Sequence, residues 1–138
     1  MISFTVPGNP QSLKRHRTFR RGNFTGQYDP SKADKSDFLA MAMQHRPDVP
    51  LSCPLSVEIN CCFPRPKGHY RTGKNAHLLK DGAPGWHTGR PDADNLGKFV
   101  CDALNGIFWM DDSCICLLTI SKGHGPVPYT EVTITAAL

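Results

Sequence analysis

Apolar side chains recur at every second position of residues 55–63, and this run constrains the fold more than any other segment. Alternation with a period of two places every apolar side chain on one face, which is typical of a strand with one buried side. Pro64 and Pro66 follow and end the run. The chain therefore needs partner strands beside this one and further elements to cover its apolar face.

Other segments predict the rest of the fold. Short strands are expected at residues 2–6, 113–120 and 131–136, with residues 123–128 turning the last two into a hairpin. One helix should open at Ser31, with Ser31 as its cap and Asp34 completing a weak capping box, and end at Arg46-Pro47. A second should span residues 95–104, where apolar positions recur at helical spacing and Asn105-Gly106 follows.

Two long segments lack any period and are read as loops. Residues 8–28 form a basic loop, and residues 67–89 form a polar loop that we expect to be disordered or to cover a ligand. The order of elements predicts an α+β fold: a small mixed β-sheet with two main helices packed on it, and a long basic loop before the second helix.

Length and composition limit the class of protein. The 138 residues fit a single domain spanning residues 1–138. No apolar run reaches the ~18 residues of a membrane span, and residues 1–8 lack the features of a signal peptide, so we expect a cytoplasmic protein without a membrane partner. The six cysteines are then expected as free thiols, and zinc bound with His69, His77 or His87 is the weaker alternative to histidines near phosphate.

The formal net charge of the chain is +4, and many of its basic side chains fall into two groups along the sequence. Clusters of this kind are typical of backbone-phosphate contacts in proteins that bind nucleic acid, although solvated loops would give the same pattern. The expected DNA-binding residues are Lys14, Arg15, Arg17, Arg20, Arg21, Arg65, Lys67, Arg71 and Lys74, with Lys80 and Arg90 in the second group. Four aromatic residues lie among them and could stack on opened bases: Phe19, Phe24, Tyr70 and Trp86.

Carboxylates are concentrated in residues 90–112, which hold five of the twelve acidic residues. In extended backbone Asp92 and Asp94 would point to the same side, and the chain after the helix could return Asp112 to them. Two carboxylates about 4 Å apart repel by about 4 kcal/mol at an effective dielectric of about 20. Such a cluster calls for protons or a divalent cation, and Mg²⁺ suits oxygen ligands beside phosphate-binding loops.

Structural roles are possible for the same side chains. Asp92 could favour a helix start, Asp94 could pair with Lys98 four residues later, and Asp111 with Asp112 could form a turn. For Asp102, pairing with Lys98 or an outer hydrogen bond is favoured over binding a metal.

Five stretches resemble the RusA family of Holliday-junction resolvases, which are small metal-dependent endonucleases common in bacteria and their prophages. They are VPGNP at 6–10, FPRPK at 63–67, RPDADNL at 90–96, DALNG at 102–106 and FWMDD at 108–112. The resemblance implies that Asp92, Asp94 and Asp112 bind Mg²⁺ or Mn²⁺, with Asp111 as a supporting carboxylate. It also implies that Lys98 is catalytic and that the protein is a homodimer.

The expected function is accordingly a Mg²⁺-dependent endodeoxyribonuclease that resolves Holliday junctions by paired symmetric nicks in DNA recombination and repair. A bound metal would activate water, and Lys98 would stabilise the transition state at the phosphate. Two nicks in a nearly two-fold junction suit a two-fold dimer. The alternatives are a non-catalytic DNA-binding protein with a structural acidic cluster and, less favoured, a phosphoesterase for small nucleotides.

Overall fold

A computed structural model describes residues Met1–Leu138 and contains six strands and two α-helices. The elements in chain order are β1 (Ile2–Pro7), β2 (Arg17–Arg21), β3 (Phe24–Tyr28), α1 (Lys32–Ala42), β4 (Leu55–Pro64), α2 (Ala93–Leu104), β5 (Ile115–Gly125) and β6 (Tyr129–Ala136). Short 3₁₀ turns lie at Met43–His45, Lys67–His69, Gly73–Asn75 and Asp112–Cys114. This confirms the α+β class with a mixed sheet and two helices. Neither helix combines the length and the apolar character needed to cross a membrane.

The main sheet has four strands in the order β1-β6-β4-β5. β6 pairs antiparallel with β1 and with β4, whereas β4 and β5 run parallel. The expected hairpin between the last two strands is therefore wrong. Both edges of β6 are occupied by β1 and β4, so β5 pairs with the far side of β4, which it reaches through the α2 crossover.

The two faces of the sheet differ in polarity. Val57, Ile59, Val132 and Ile134 point to one side and are almost fully buried in the core with residues of α1 and α2. The opposite face is polar: the Asn60 side-chain amide donates to Glu131 at 3.1 Å, and the Ser121 hydroxyl donates to the Asn60 oxygen at 2.6 Å. This difference explains why helices cover one side only.

Helix α2 lies against β5 through a close approach at Gly97. A Cβ atom at this position would come within 2.3 Å of the Ile120 Cδ1 atom, so a side chain larger than hydrogen requires Ile120 to move. The helix buries Leu96, Phe99 and Val100. It ends at Leu104, where Gly106 adopts a φ of +81° that favours glycine.

The start of α1 differs from the expected cap. Ser31 is the N-cap residue, but its hydroxyl makes no bond to the helix and instead accepts a hydrogen bond from the Lys14 amide at 2.9 Å. The Ser31 amide donates to Asp29 Oδ1 at 2.9 Å. Ser31 therefore ties the basic N-terminal segment to the helix, and the expected capping box is wrong.

The two segments expected to be loops both contain regular contacts. Residues 17–28 form an antiparallel hairpin of β2 and β3, with Phe19 contacting Phe24 and Tyr28 on one face. Residues 67–89 make internal backbone bonds such as Arg71 N to Leu78 O, at 2.8 Å. The residues of this hairpin are almost all exposed on both faces, so burial imposes no alternation on them and their sequence shows no strand pattern.

Candidate active site

Three carboxylates and one ammonium group line a cavity of about 400 Å³ between α2 and β5. We call this the acidic pocket; its charged residues are Asp94, Lys98, Asp102 and Asp112, and its other lining residues are Gly97, Cys101, Ile115, Leu118 and Ile120. Asp94, Lys98 and Asp102 share one helix face because they are spaced four residues apart. Asp112 reaches the same cavity from the turn before β5.

Asp92 is not among the residues that line the acidic pocket, and the expected convergence of Asp92, Asp94 and Asp112 stays a prediction. The expectation required extended backbone at both Asp92 and Asp94. The helix begins at Ala93, so Asp92 is the extended N-cap residue while Asp94 is already helical. Each helical residue rotates the direction of the side chain by about 100° around the helix axis, so the two-residue alternation of an extended strand does not apply between Asp92 and Asp94.

Asp112 and Asp111 occupy different environments although they are neighbours. Asp112 is half-buried, and its Oδ1 accepts a hydrogen bond of 2.7 Å from the Trp109 indole N–H. Burial raises the pKa of Asp112, and the negative charges of Asp102 and Asp111 act in the same direction while the Trp109 bond opposes them. Asp111 is exposed and caps the following turn by accepting from the Ser113 amide at 3.0 Å. Hydrogen bonding to the Ser113 side chain, followed by the bond to its amide, lowers the pKa of Asp111.

Two lysines partly neutralise the acidic pocket. Lys98 Nζ lies 3.7 Å from Asp94 Oδ2, which is the pairing expected within the helix. Lys35 Nζ of α1 lies 3.7 Å from Asp102 Oδ2 and also pairs with Asp29. Asp102 therefore pairs with Lys35, and the expected pairing of Asp102 with Lys98 is not formed. No local pattern predicts the role of Lys35, because its contact with Asp102 joins two helices.

The carboxylates of the acidic pocket suit a divalent cation, but protein side chains alone would not surround the ion. No three His, Cys, Asp or Glu side chains are arranged so that they could hold one metal ion together. Mg²⁺ is commonly bound by one or two carboxylates, with water and substrate phosphate completing the shell. Asp94 and Asp112 offer such a pair in an open cavity, and Asp112 takes part in no ion pair of its own. These two carboxylates are the candidate oxygen ligands.

The expected DNA-binding residues are distributed over two surfaces. Most are exposed, on or before the β2–β3 hairpin or in the 67–89 segment; these are Lys14, Arg15, Arg17, Arg20, Arg21, Lys67 and Lys74. Arg65 and Arg71 have partners within the protein: Arg65 donates to the Pro84 carbonyl at 2.7 Å, and Arg71 lies 3.4 Å from Asp81. Lys14 lies 3.8 Å from Asp34.

Comparison with known proteins shows the family. The family model described as "Endodeoxyribonuclease RusA" matches residues 7–135. The chain belongs to the RusA endodeoxyribonuclease family. It is also similar to the "Uncharacterized protein YqaN" of Bacillus subtilis (strain 168), with 34% identity over 137 residues that cover 96% of this chain and 94% of the relative. In this RusA-family chain, residues 90–112 form the N-cap, helix α2 and the turn that carries Asp112.

Proposed function

We propose that this RusA-family protein is a Mg²⁺-dependent endodeoxyribonuclease that cuts Holliday junctions by paired symmetric nicks. The observation that carries the proposal is the placement of Asp94, Asp112 and Lys98 around one open cavity of about 400 Å³. Family membership supports cleavage of DNA, and the exposed arginines of the β2–β3 hairpin suit a phosphate backbone.

Each residue of the site has a proposed role. Asp94 and Asp112 would hold Mg²⁺ or Mn²⁺, which when bound lowers the pKa of a water ligand and neutralises developing charge. Asp92, exposed at the helix N-cap, is proposed as a further ligand on the basis of the family motif, and Asp111 as a supporting carboxylate. Lys98 is exposed beside Asp94 and would stabilise charge on the scissile phosphate.

The proposed substrate is branched DNA bound by a homodimer. A four-way junction has approximate two-fold symmetry, so two identical active sites related by a two-fold axis can make matching nicks. Strand β5 supplies one open edge of the sheet, and Leu117 and Leu118 there are 57% and 46% exposed. An exposed apolar edge strand of this kind favours pairing with a second chain.

Substitution of Asp94 tests the catalytic role. We expect Asp94→Asn to retain junction binding and to lose cleavage by more than about 100-fold, since even partners that only orient metal ligands cost about 10–100-fold. Cleavage of a synthetic four-way junction in Mg²⁺ and in chelator measures this, with gel shift for binding. Asp37→Asn removes an exposed carboxylate from α1 and serves as the charge-matched control. Normal cutting by Asp94→Asn would rule out the proposed site.

A non-catalytic DNA-binding protein is the second candidate, favoured by the position of Asp92 outside the pocket. The same assay separates the two. Symmetric nicks that require Mg²⁺ support the nuclease, whereas binding without any nick in Mg²⁺ or Mn²⁺ supports the second candidate.

A further inference from the structure

A second and larger cavity, of about 660 Å³, lies beside the start of α2. We call it the Arg–His cavity; the residues that matter are Arg65, His69, Trp86, His87, Arg90 and His124. None of the side chains that line it is acidic. Its electrostatic character is therefore opposite to that of the acidic pocket, and it suits an anionic ligand.

Trp86 at this cavity is 70% exposed although its backbone is held on both sides. The His87 amide donates to the Lys122 carbonyl at 3.0 Å, and the His124 amide donates to the Gly85 carbonyl at 2.9 Å. These two bonds join residues 85–87 to β5. A large apolar ring that is exposed on a fixed backbone provides a flat surface on which another aromatic ring can stack.

Three histidines of the cavity contact one another: His124 contacts both His69 and His87. His87 Nε2 lies 2.8 Å from the Arg90 carbonyl oxygen, which can only accept, so Nε2 carries the proton. In the neutral ring His87 Nδ1 then accepts from His124 Nε2 at 3.3 Å. The ring of His69 packs edge-on against His124, and its Nδ1 lies 3.4 Å from Arg65. Arg90, by contrast, is exposed, and its guanidinium makes no hydrogen bond within the protein.

We propose that the Arg–His cavity binds one unpaired nucleotide of the DNA strand, with the base stacked on Trp86 and a phosphate at Arg90 and Arg65. An aromatic surface next to guanidinium groups matches the two chemical parts of a nucleotide. The volume lies within the ~300–1,000 Å³ typical of ligand sites. This inference rests on the proposed function and adds where the opened strand is held.

The position along β5 agrees with this role. Ile120 lines the acidic pocket and His124 lines the Arg–His cavity. Four strand residues span about 13 Å, close to four nucleotide steps of ~3.4 Å along one strand of duplex DNA. Lys122 lies between them, and its Nζ donates to the carbonyls of Gly89 and Pro91 at 2.8 and 2.9 Å. One strand of DNA can therefore contact both cavities.

Intrinsic fluorescence provides a direct test, because the chain has two tryptophans and Trp109 is fully buried. Titration with an oligodeoxythymidine strand in chelator should quench the emission of Trp86. Trp86→Phe should abolish that quenching yet bind labelled strand within about twofold of wild type. Trp86→Ala should bind the strand about 5- to 150-fold more weakly, the value expected for loss of one base stack.

Val49→Ala is the matched control, because Val49 is 71% exposed in a segment away from both cavities. It should bind the strand and cut junctions as wild type does. Unfolding curves of all variants establish that they fold alike. Equal affinity of Trp86→Ala and Trp86→Phe, or unquenched emission at saturating DNA, would overturn the inference.

Failure of this inference is distinguishable from failure of the proposed function. If Trp86→Ala binds single strands like wild type while Asp94→Asn still abolishes cutting, only the nucleotide site is wrong. If wild-type protein binds no DNA, both are wrong. A selective loss of single-strand and junction binding in Trp86→Ala, with duplex binding unchanged, supports an unpaired nucleotide in the cavity.

Discussion

The acidic pocket and the Arg–His cavity lie along the same strand but are built in different ways. In the acidic pocket, three of the four charged side chains come from one face of α2, so helical spacing sets their positions. In the Arg–His cavity, most side chains come from residues 63–69 and 84–90, and backbone bonds to β5 hold the second segment. Helix α2 thus positions the proposed catalytic residues, while an irregular segment, residues 84–90, forms much of the proposed DNA-binding cavity.

Removing one positive charge from each cavity should affect the cleavage rate in one case and DNA binding in the other. The change in cleavage rate is the largest effect that we expect. Lys98→Gln should lower the cleavage rate at saturating junction by about 100- to 1,000-fold, the usual cost of one group that stabilises transition-state charge. Arg90→Gln should leave that rate unchanged and weaken binding, reducing the slope of log K against log salt by about 0.7, the value for one phosphate of an unpaired strand.

Single-turnover cleavage and binding titrations from low to high salt measure both quantities. Lys35→Gln is a control for loss of a lysine near the acidic pocket, because Lys35 pairs with Asp102 and Asp29 instead of facing Asp94. If Arg90→Gln slows turnover as much as Lys98→Gln does, the two cavities do not have separate roles.

The two tryptophans should differ in their effect on stability. Trp109→Phe removes the N–H that bonds Asp112 and should lower the free energy of unfolding by about 1–3 kcal/mol. Trp86→Phe should change it by less than about 0.5 kcal/mol, since Trp86 is mostly exposed. Urea unfolding followed by circular dichroism gives both values. Equal losses in the two variants would show that the Trp109–Asp112 bond adds nothing.

The smallest effect concerns Asp29, which pairs with the lysine that contacts Asp102. The Lys35 hydrogen bond, followed by the Ser31 amide, lowers the pKa of Asp29. The charged form thus contributes stability that is full above the unfolded-state pKa of about 3.9 and is lost as pH falls through the lower folded-state value. Asp29→Asn should lower Tm at pH 7, with the difference closing below about pH 4. A difference in Tm that does not shrink as pH falls below about 4 would exclude a charge effect.

Much of the fold could be predicted from the sequence because burial imposes periodicity. The alternation at 55–63 gave β4, and the apolar spacing at 95–104 gave α2, although the helix begins two residues earlier at Ala93. Because of that small difference, Asp94 lies within the helix while Asp92 is its extended N-cap residue. The partner of β5 could not be predicted, because neighbours in sequence favour a hairpin, whereas strand pairing depends on the whole sheet.

The site could be predicted in part for the same reason. The helix face of Asp94 and Lys98 and the return of Asp112 followed from local pattern, and Asp102 could have been included from its position eight residues after Asp94. Lys35 and His124 could not, because each reaches its cavity through contacts between elements distant in sequence. Residues far apart in the chain carry no periodic signal of their contact.

The central position of β6 has a consequence for folding. The strand made last is inserted between β1, made first, and β4, so β1 has no partner in the sheet until residues 129–136 are available. Sheets dominated by such distant pairings fold slowly, in milliseconds to seconds. During synthesis the backbone edges of β1 and β4 that pair with β6 therefore stay unpaired until β6 is made, and we expect chaperone dependence or aggregation when this strand is shortened.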